Sequence, residues 1–521
     1  MQRLGVEMKI FEELRIATAN LADIAGDMTE PSVRLGVTGL ARSGKTIFIS
    51  SSLHNIIHGG RLPRFEAHST GRIGTAEISP HPDSLVPRFR YESHISDLTD
   101  KKIWPSSTSR TSQVRLSLRY QSRDSFKRTF RSDRLALDIV DYPGEWLLDL
   151  TLMDQSFRDW SRKSFNQANH HLYKPFSSDW RAFSECIEHK LETEEQGDEP
   201  ILETIARQAA SNFTDYLLTA KKERGAYALL TPGRFLMPGD LEDSNALTFA
   251  PLPDNLYCKD RKSLWALMER RFEAYKNEIV LPFYRNHFAR LDRQIVLIDL
   301  LAALNEGPET LAELEDTITE ILRAFRPGSH FWLRNLVSRR IDKILFAATK
   351  ADHLHHTSHD RLERILERLV ERASSRVKSA GADCETMAIA AIRATREATL
   401  NLEGEELPSL IGYPMEGESL GEDEFDGETE FALFPGDLPT DPDSVFKPVE
   451  SKSQATAESI LEENAAKTES VSEQPASQMD PTCFVRFRPP DLDKTSEGLA
   501  LSLPHIRLDR ALEFLLGDIL K

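Results

Sequence analysis

Apolar residues recur at helical spacing at Ile10, Leu14, Ala17, Leu21 and Ile24, which predicts an amphipathic helix over residues 7–25 that packs against a core. After the turn-like Glu30-Pro31-Ser32, the short apolar run Val33 to Thr38 reads as a buried strand, and a helix is expected from Lys45. Gln113 to Tyr120 alternates Val, Leu and Tyr against Arg and Ser, whereas Leu135 to Val140 is almost wholly apolar. The two predict strands of one sheet with an exposed edge. Residues 151–290 read mainly as helix, including Leu264 to Phe288 with large apolar residues at three- and four-residue spacing. Strand patterns return at 294–300, 343–348 and 387–392, separated by helical patterns at 308–325 and 359–378.

Strand alternating with helix implies an α/β fold with a mostly parallel, doubly wound sheet, here interrupted by a large helical insertion. The chain divides into an N-terminal amphipathic helix (1–30), the first part of the core (31–150), the helical insertion (151–290) and the second part of the core (291–400). An acidic, loop-rich segment follows (401–446), with turns at FPGDLP (434–439), and then a Ser-, Glu-, Ala- and Gln-rich stretch expected to be a disordered linker (447–480). The end (481–521) is expected to hold an edge strand at 483–488 and a closing helix at 506–520.

The formal charge of −18 and pI near 5.4 argue against a surface made to bind nucleic acid, which needs excess Lys and Arg. Charge is uneven: residues 34–134 are rich in Arg, and Glu397 to Phe446 holds neither Lys nor Arg. Cys186, Cys258, Cys384 and Cys483 form no CxxC or Cys/His pair, so neither a disulfide framework nor a zinc site is indicated and a reducing compartment is expected. The N-terminus carries charge throughout, and no window of 18 uncharged apolar residues occurs, which predicts a cytoplasmic protein, soluble or peripheral to a membrane.

Between the first strand and its helix lies GLARSGKT, residues 39–46. Gly39 and Gly44 let the backbone curl so that amides of Ala41, Arg42 and Ser43 and of the helix start through Ile47 point at phosphate oxygens. Lys45 would reach the terminal phosphates, and Thr46 would offer its hydroxyl to Mg²⁺. Asp141 ends a buried strand, where a carboxylate is costly without a partner such as a metal; Asp138, in the same run, is its competitor for that role. Asp141-Tyr142-Pro143-Gly144 also fits DxxG, in which the Gly144 amide meets the terminal phosphate.

A further strand runs into Thr349-Lys350-Ala351-Asp352, the TKxD pattern of guanine-specific sites. Guanine offers N1–H and N2–H₂ donors where adenine has an acceptor and no amine, so a fixed carboxylate at Asp352 favours one base, with Lys350 along the ring face and His353 beside it. The loop after the last strand, near Ile392, is where a backbone would touch the guanine carbonyl.

GLARSGKT, WPSST at 104–108, DYPGEW at 141–146, TKAD and FPGDLP together resemble the YcjX-like family of bacterial GTP-binding P-loop proteins, over nearly the whole chain. The resemblance implies a Ras-like nucleotide-binding core with a helical domain, GTP and GDP binding, intrinsic GTP hydrolysis, a tie to stress responses and an inner-membrane protein partner. It implies that Trp104, Ser107 and Thr108 form a first switch near the nucleotide, that Thr108 or Thr111 gives a second hydroxyl to Mg²⁺, and that Arg110 is a candidate for steadying transition-state charge. Glu145 stands where many small GTPases carry a water-positioning Gln, and a carboxylate beside a polyanion predicts slow hydrolysis. Two rival readings are a nucleotide-gated scaffold with negligible turnover and an ATP-using P-loop enzyme.

Overall fold

The computed structural model describes residues 31–81, 86–106, 108, 110–123, 133–193, 199–225, 229–241, 244–288, 290–324, 341–379, 381–402, 405–420, 423–447, 484–492 and 502–521. The helix expected over 7–25, the stretch 448–480 and Ser107 lie outside these residues.

In chain order the principal elements of the first part are β1 (Ser32–Gly39), α1 (Lys45–Ile57), β2 (Ile73–Ser79), α2 (Tyr91–Thr99), β3 (Ser112–Tyr120) and β4 (Arg134–Asp141). The insertion contributes α3 (Phe157–Asn169), α4 (Ser178–Thr193), α5 (Glu199–Arg224) and α6 (Leu264–Tyr275). The second part holds β5 (Arg293–Ile298), α7 (Leu300–Glu306), α8 (Pro308–Ala324), β6 (Lys343–Ala348), α9 (His359–Ser379) and β7 (Asp383–Ala388). β8 (Arg396–Leu402), β9 (Glu405–Gly412), β10 (Phe431–Leu433) and α10 (Leu508–Leu516) complete the chain.

The main sheet has seven strands in the order β2-β3-β4-β1-β5-β6-β7. β4, β1, β5, β6 and β7 run parallel, and β3 and β2 are added antiparallel at one edge. Alternate residues of each central strand feed opposite layers, which is why those strands read as continuous apolar runs. Ile295, Leu297, Leu345 and Ala347 pack with Phe48, Ile49 and Leu53 of α1 and with Leu508, Leu512 and Leu515 of α10. Val296, Ile298, Ile344 and Phe346 pack instead with α7, α8 and α9. In α9 the buried Leu362, Ile365, Leu366, Leu369, Val370 and Ala373 fall on one face at helical spacing.

The insertion has its own aromatic core, in which Trp160 stacks on Phe272 with centroids 4.9 Å apart. Ser156 and Ser263 cap α3 and α6 through the amides of Asp159 and Ala266, at 3.1 and 3.2 Å. Helical structure continues past α6 through Phe288, but residues 276–280 and 284–288 are π-helical around Pro282, which has no N–H to keep the regular ladder. Val140, Tyr142, Leu147 and Ile321 belong to the same apolar cluster, so the insertion is packed onto the end of β4 and onto α8.

The structure differs from expectation at several places. β2 carries no alternating signal because most of its side chains are partly or fully exposed on both faces. β7 starts and ends four residues earlier than the strand expected at 387–392; as an edge strand it begins with the polar Asp383, Cys384 and Glu385. The acidic segment is not simply loop: β10, β9 and β8 form a three-stranded antiparallel sheet. The expected C-terminal edge strand is reduced to one bridge, Pro414 to Phe487, because Pro489-Pro490 removes the next donors. Among the described residues no helix is long and apolar enough to cross a membrane.

Candidate functional site

β1 delivers Gly39 to the carboxyl edge of the sheet, and the loop 39–44 turns directly into α1, whose first full bond runs from the Phe48 amide to Gly44 O at 2.9 Å. The Lys45 side chain folds back over this loop and donates to Gly39 O at 2.9 Å and Leu40 O at 3.1 Å. Burial lowers its pKa to about 8, against the pull of nearby Asp141.

Gly144, two residues beyond the Tyr142 that follows β4, lies against the same loop. A Cβ on Gly144 would stand 2.5 Å from both Gly39 O and the Leu40 carbonyl carbon, so only glycine permits the approach that brings its amide to the phosphate loop. The Thr46 and Thr108 hydroxyls are 3.2 Å apart, and Thr108 donates to Asp141 Oδ2 at 2.6 Å. Asp141 Oδ1 is buried and has no hydrogen-bond partner among the described residues. Burial raises the Asp141 pKa, with Lys45 and Thr108 opposing. An orphaned carboxylate oxygen beside paired hydroxyls is a hard-oxygen donor set, which fits Mg²⁺.

The competing residue Asp138 is corrected by the register of the sheet. β3 and β4 pair Arg115 with Asp138, and the guanidinium closes on both carboxylate oxygens at 2.6 and 2.7 Å. Asp138 is therefore half of an ion pair and not the open ligand position.

At the end of β6, Lys350 takes a left-handed φ of 61° and its ammonium pairs with Asp299. Asp352 is 3% exposed; its Oδ2 accepts from the Ala394 amide at 2.8 Å, and its carbonyl accepts from the Thr395 hydroxyl at 2.5 Å. Burial lifts its carboxyl to about 6. His353 is held neutral by burial, at about 3, and meets the Phe487 ring edge-on at 5.3 Å.

A single cavity of about 400 Å³ joins these parts. Its lining includes Ala41, Arg42, Gly44, Lys45, Thr46 and Ile47 of the phosphate loop and helix start, together with Trp104, Thr108, Gly144 and Glu145, and Lys350, Asp352, His353 and Ile392 from the ends of β6 and β7. Gly39 and Ser43 are not in this lining and border a neighbouring, mostly apolar cavity instead. Arg110 is exposed and stands outside the lining, so the structure does not bring it to the site. Of the two candidate hydroxyls, Thr108 and not Thr111 reaches Thr46 and Asp141.

Several lining or neighbouring residues have no sequence signal. Met415, Arg486 and Phe487 close the base end, and Phe487 O accepts from Trp104 Nε1 at 2.7 Å. On the phosphate side, the Lys221 ammonium of α5 is in contact with the Glu145 carboxylate. Both arrive from segments far away in sequence, and no motif spacing links either to the phosphate or base motifs.

A family model described as the YcjX-like family, DUF463, matches residues 33–520. A protein of Escherichia coli (strain K12) named "Ras-like GTPase YcjX" is 34% identical over 503 residues, covering 94% of this chain and 96% of the relative. A protein of Shewanella oneidensis with the same name is 30% identical over 509 residues, covering 94% and 95%.

Proposed function

The chain belongs to the YcjX-like family, and from that premise we propose that it is a regulatory switch that binds GTP and GDP and hydrolyses GTP slowly with Mg²⁺ in a bacterial stress response. The observation that carries this is the shared cavity: a buried carboxylate suited to guanine, Asp352, opens onto the same space as Lys45 and the Thr46-Thr108-Asp141 cluster.

In this reading, loop amides and the Lys45 ammonium exchange their contacts with Gly39 O and Leu40 O for phosphate oxygens. Thr46, Thr108 and Asp141 would hold Mg²⁺, which would supply positive charge to the phosphates. Gly144 offers its amide to the terminal phosphate, and the insertion, packed on the segment after Gly144, transmits the change. Water attacks in line with the departing GDP, and the loop and Lys45 stabilise the charge that develops. The reading places the protein in the cytoplasm, peripheral to the inner membrane through a membrane-protein partner, with no nucleic-acid partner. A scaffold with negligible turnover is the second reading, favoured by Glu145, whose carboxylate is occupied by Lys221. Displacement of a fluorescent GTP analogue by GTP, GDP and ATP, with phosphate release under single turnover, tests both: displacement only by guanine nucleotides supports the site, and absent phosphate release selects the scaffold.

Asp352 sets a pH dependence. Its folded pKa of about 6 lies above the ordinary Asp value of 3.8, so protonation favours the nucleotide-free fold, and that contribution is lost as pH rises through about 6. Guanine donors need the ionised form, so the signs oppose: GTP affinity should fall as pH drops from 7 to 5, approaching about tenfold per unit below pH 6. Fluorescence titration across that range measures it; a flat profile contradicts the assignment.

Thr108→Val removes the hydroxyl that bonds Asp141 and meets Thr46. At about 1 kcal/mol, the Mg²⁺ concentration for half-maximal GTP binding should rise by about fivefold, with Mg²⁺-free GDP binding little changed. Equal half-maximal Mg²⁺ in both proteins would remove Thr108 from the metal site.

A further inference from the structure

Helix α5 leaves the insertion core and ends beside the phosphate loop: a Cβ on Gly225, just past its last residue, would lie 3.9 Å from Arg42 Nη1. Earlier in the same final stretch, the Lys221 ammonium is in contact with Glu145 Oε1. The pair is well shielded, with side chains 24% and 8% exposed. Glu145 follows Gly144 directly and lines the cavity together with Arg42 and Lys45. Lys221 is thus a cation carried by the insertion to the residue next to the terminal-phosphate position. Burial and the neighbouring charges of Arg42 and Lys45 push its pKa down to about 8. Cations gathered from loop and insertion, with Glu145 placed among them, make a setting whose charge is best balanced by an added anion.

We propose that Lys221 is a cation supplied in cis by the helical insertion to the terminal phosphate of GTP, held by Glu145 when that phosphate is absent and released to it when the phosphate is present. This rests on the GTP reading above. It removes the difficulty that Glu145 alone poses, since the carboxylate next to the polyanion arrives with its own counter-charge. In hydrolysis the water oxygen bonds to the terminal phosphorus, the bond from that phosphorus to the bridging oxygen breaks, GDP leaves with its electron pair, and a water proton ends on the released phosphate. Lys221 makes and breaks no covalent bond; it meets negative charge on the oxygens that are being transferred. The exchange also gives the insertion a direct report of the bound nucleotide, because GDP has no group to draw Lys221 from Glu145.

The test compares the wild-type chain with Lys221→Ala, Lys221→Arg and Glu145→Gln. It reads GTP and GDP affinity, binding of GDP with aluminium fluoride, single-turnover hydrolysis and the thermal midpoint. Lys221→Ala should keep GDP affinity within about threefold, lose at least about tenfold of its preference for GTP over GDP, and lose the tightening by aluminium fluoride. Where the wild type turns over, hydrolysis should fall by at least about 30-fold. Lys221→Arg should recover most of each effect, and Glu145→Gln, which removes the competing carboxylate, should increase the preference for GTP. A Lys221→Ala protein that weakens GTP and GDP equally, or leaves both the preference and the aluminium fluoride effect intact, overturns the proposal while the guanine reading stands. A wild type that binds neither nucleotide overturns both. Should Lys221→Ala fail to fold, Lys221→Arg and Glu145→Gln carry the same comparison, and an unchanged preference in Glu145→Gln counts against it.

Discussion

Lys45→Ala is expected to weaken GTP binding by about 100- to 1,000-fold, with a smaller loss of stability in the nucleotide-free protein. The Lys45 ammonium is buried and bonds Gly39 O at 2.9 Å and Leu40 O at 3.1 Å, so it is already poised over the phosphate loop. Exchanging those neutral acceptors for phosphate oxygens makes charge-assisted hydrogen bonds worth about 1.5–3 kcal/mol each, and a pair of them near the low end, about 3–4 kcal/mol together, gives the stated range. Burial depresses the Lys45 pKa to about 8 even with Asp141 nearby, so an added anion would favour its charged form. The substitution also strips Asp141 of the cation that opposes its desolvation, so the melting midpoint should fall. Titration with a fluorescent GTP analogue, paired with a thermal melt, measures both; an affinity within about threefold of wild type would remove Lys45 from the phosphate site.

Gly233→Ala should cost about 2–4 kcal/mol of stability and disturb the response to GTP as well. A Cβ at this position would lie 1.8 Å from Glu145 O and 2.6 Å from its carbonyl carbon, and neither backbone can give way freely. On one side, buried Asp149 accepts from the Gly233 amide at 2.6 Å, from the Arg234 amide at 3.2 Å and from the Tyr275 hydroxyl at 2.7 Å. On the other, Trp146 donates to Met237 O at 2.8 Å while the Arg234 guanidinium lies 3.2 Å from the Trp146 ring centroid. The insertion thus grips the segment that begins at Gly144, and any shift forced at Gly233 is passed to Glu145. Gly74→Ala is the control, because its added Cβ would meet only Arg119 O at 3.8 Å, an ordinary contact. Equal melting midpoints for the two variants would contradict the account of this interface.

The parts legible in the sequence are those whose chemistry is local. The phosphate loop, the DxxG at 141–144 and TKAD each place their residues within a few positions at a strand end, and the apolar runs of β1, β4, β5 and β6 mark a sheet covered on both faces. Asp138 and Asp141 looked alike because both occur in one buried run; only the cross-strand register, which sets Arg115 against Asp138, separates them. β2 was hidden by its exposure on both faces. Phe487 reaches Trp104 across 383 positions and Lys221 reaches Glu145 across 76, distances over which no periodicity carries information. Arg110 was plausible by proximity to Thr108, yet it is exposed and outside the cavity lining.

Calorimetry of GTP and ATP, with Mg²⁺, on the wild type and on Asp352→Asn decides whether this cavity is a guanine-nucleotide site read by Asp352. The account predicts a wild-type preference for GTP of at least about 100-fold, because a buried carboxylate left without guanine donors is penalised. It also predicts that Asp352→Asn erodes that preference by weakening GTP while leaving ATP little changed. Equal binding of ATP and GTP by the wild type, unaltered by the substitution, would contradict it.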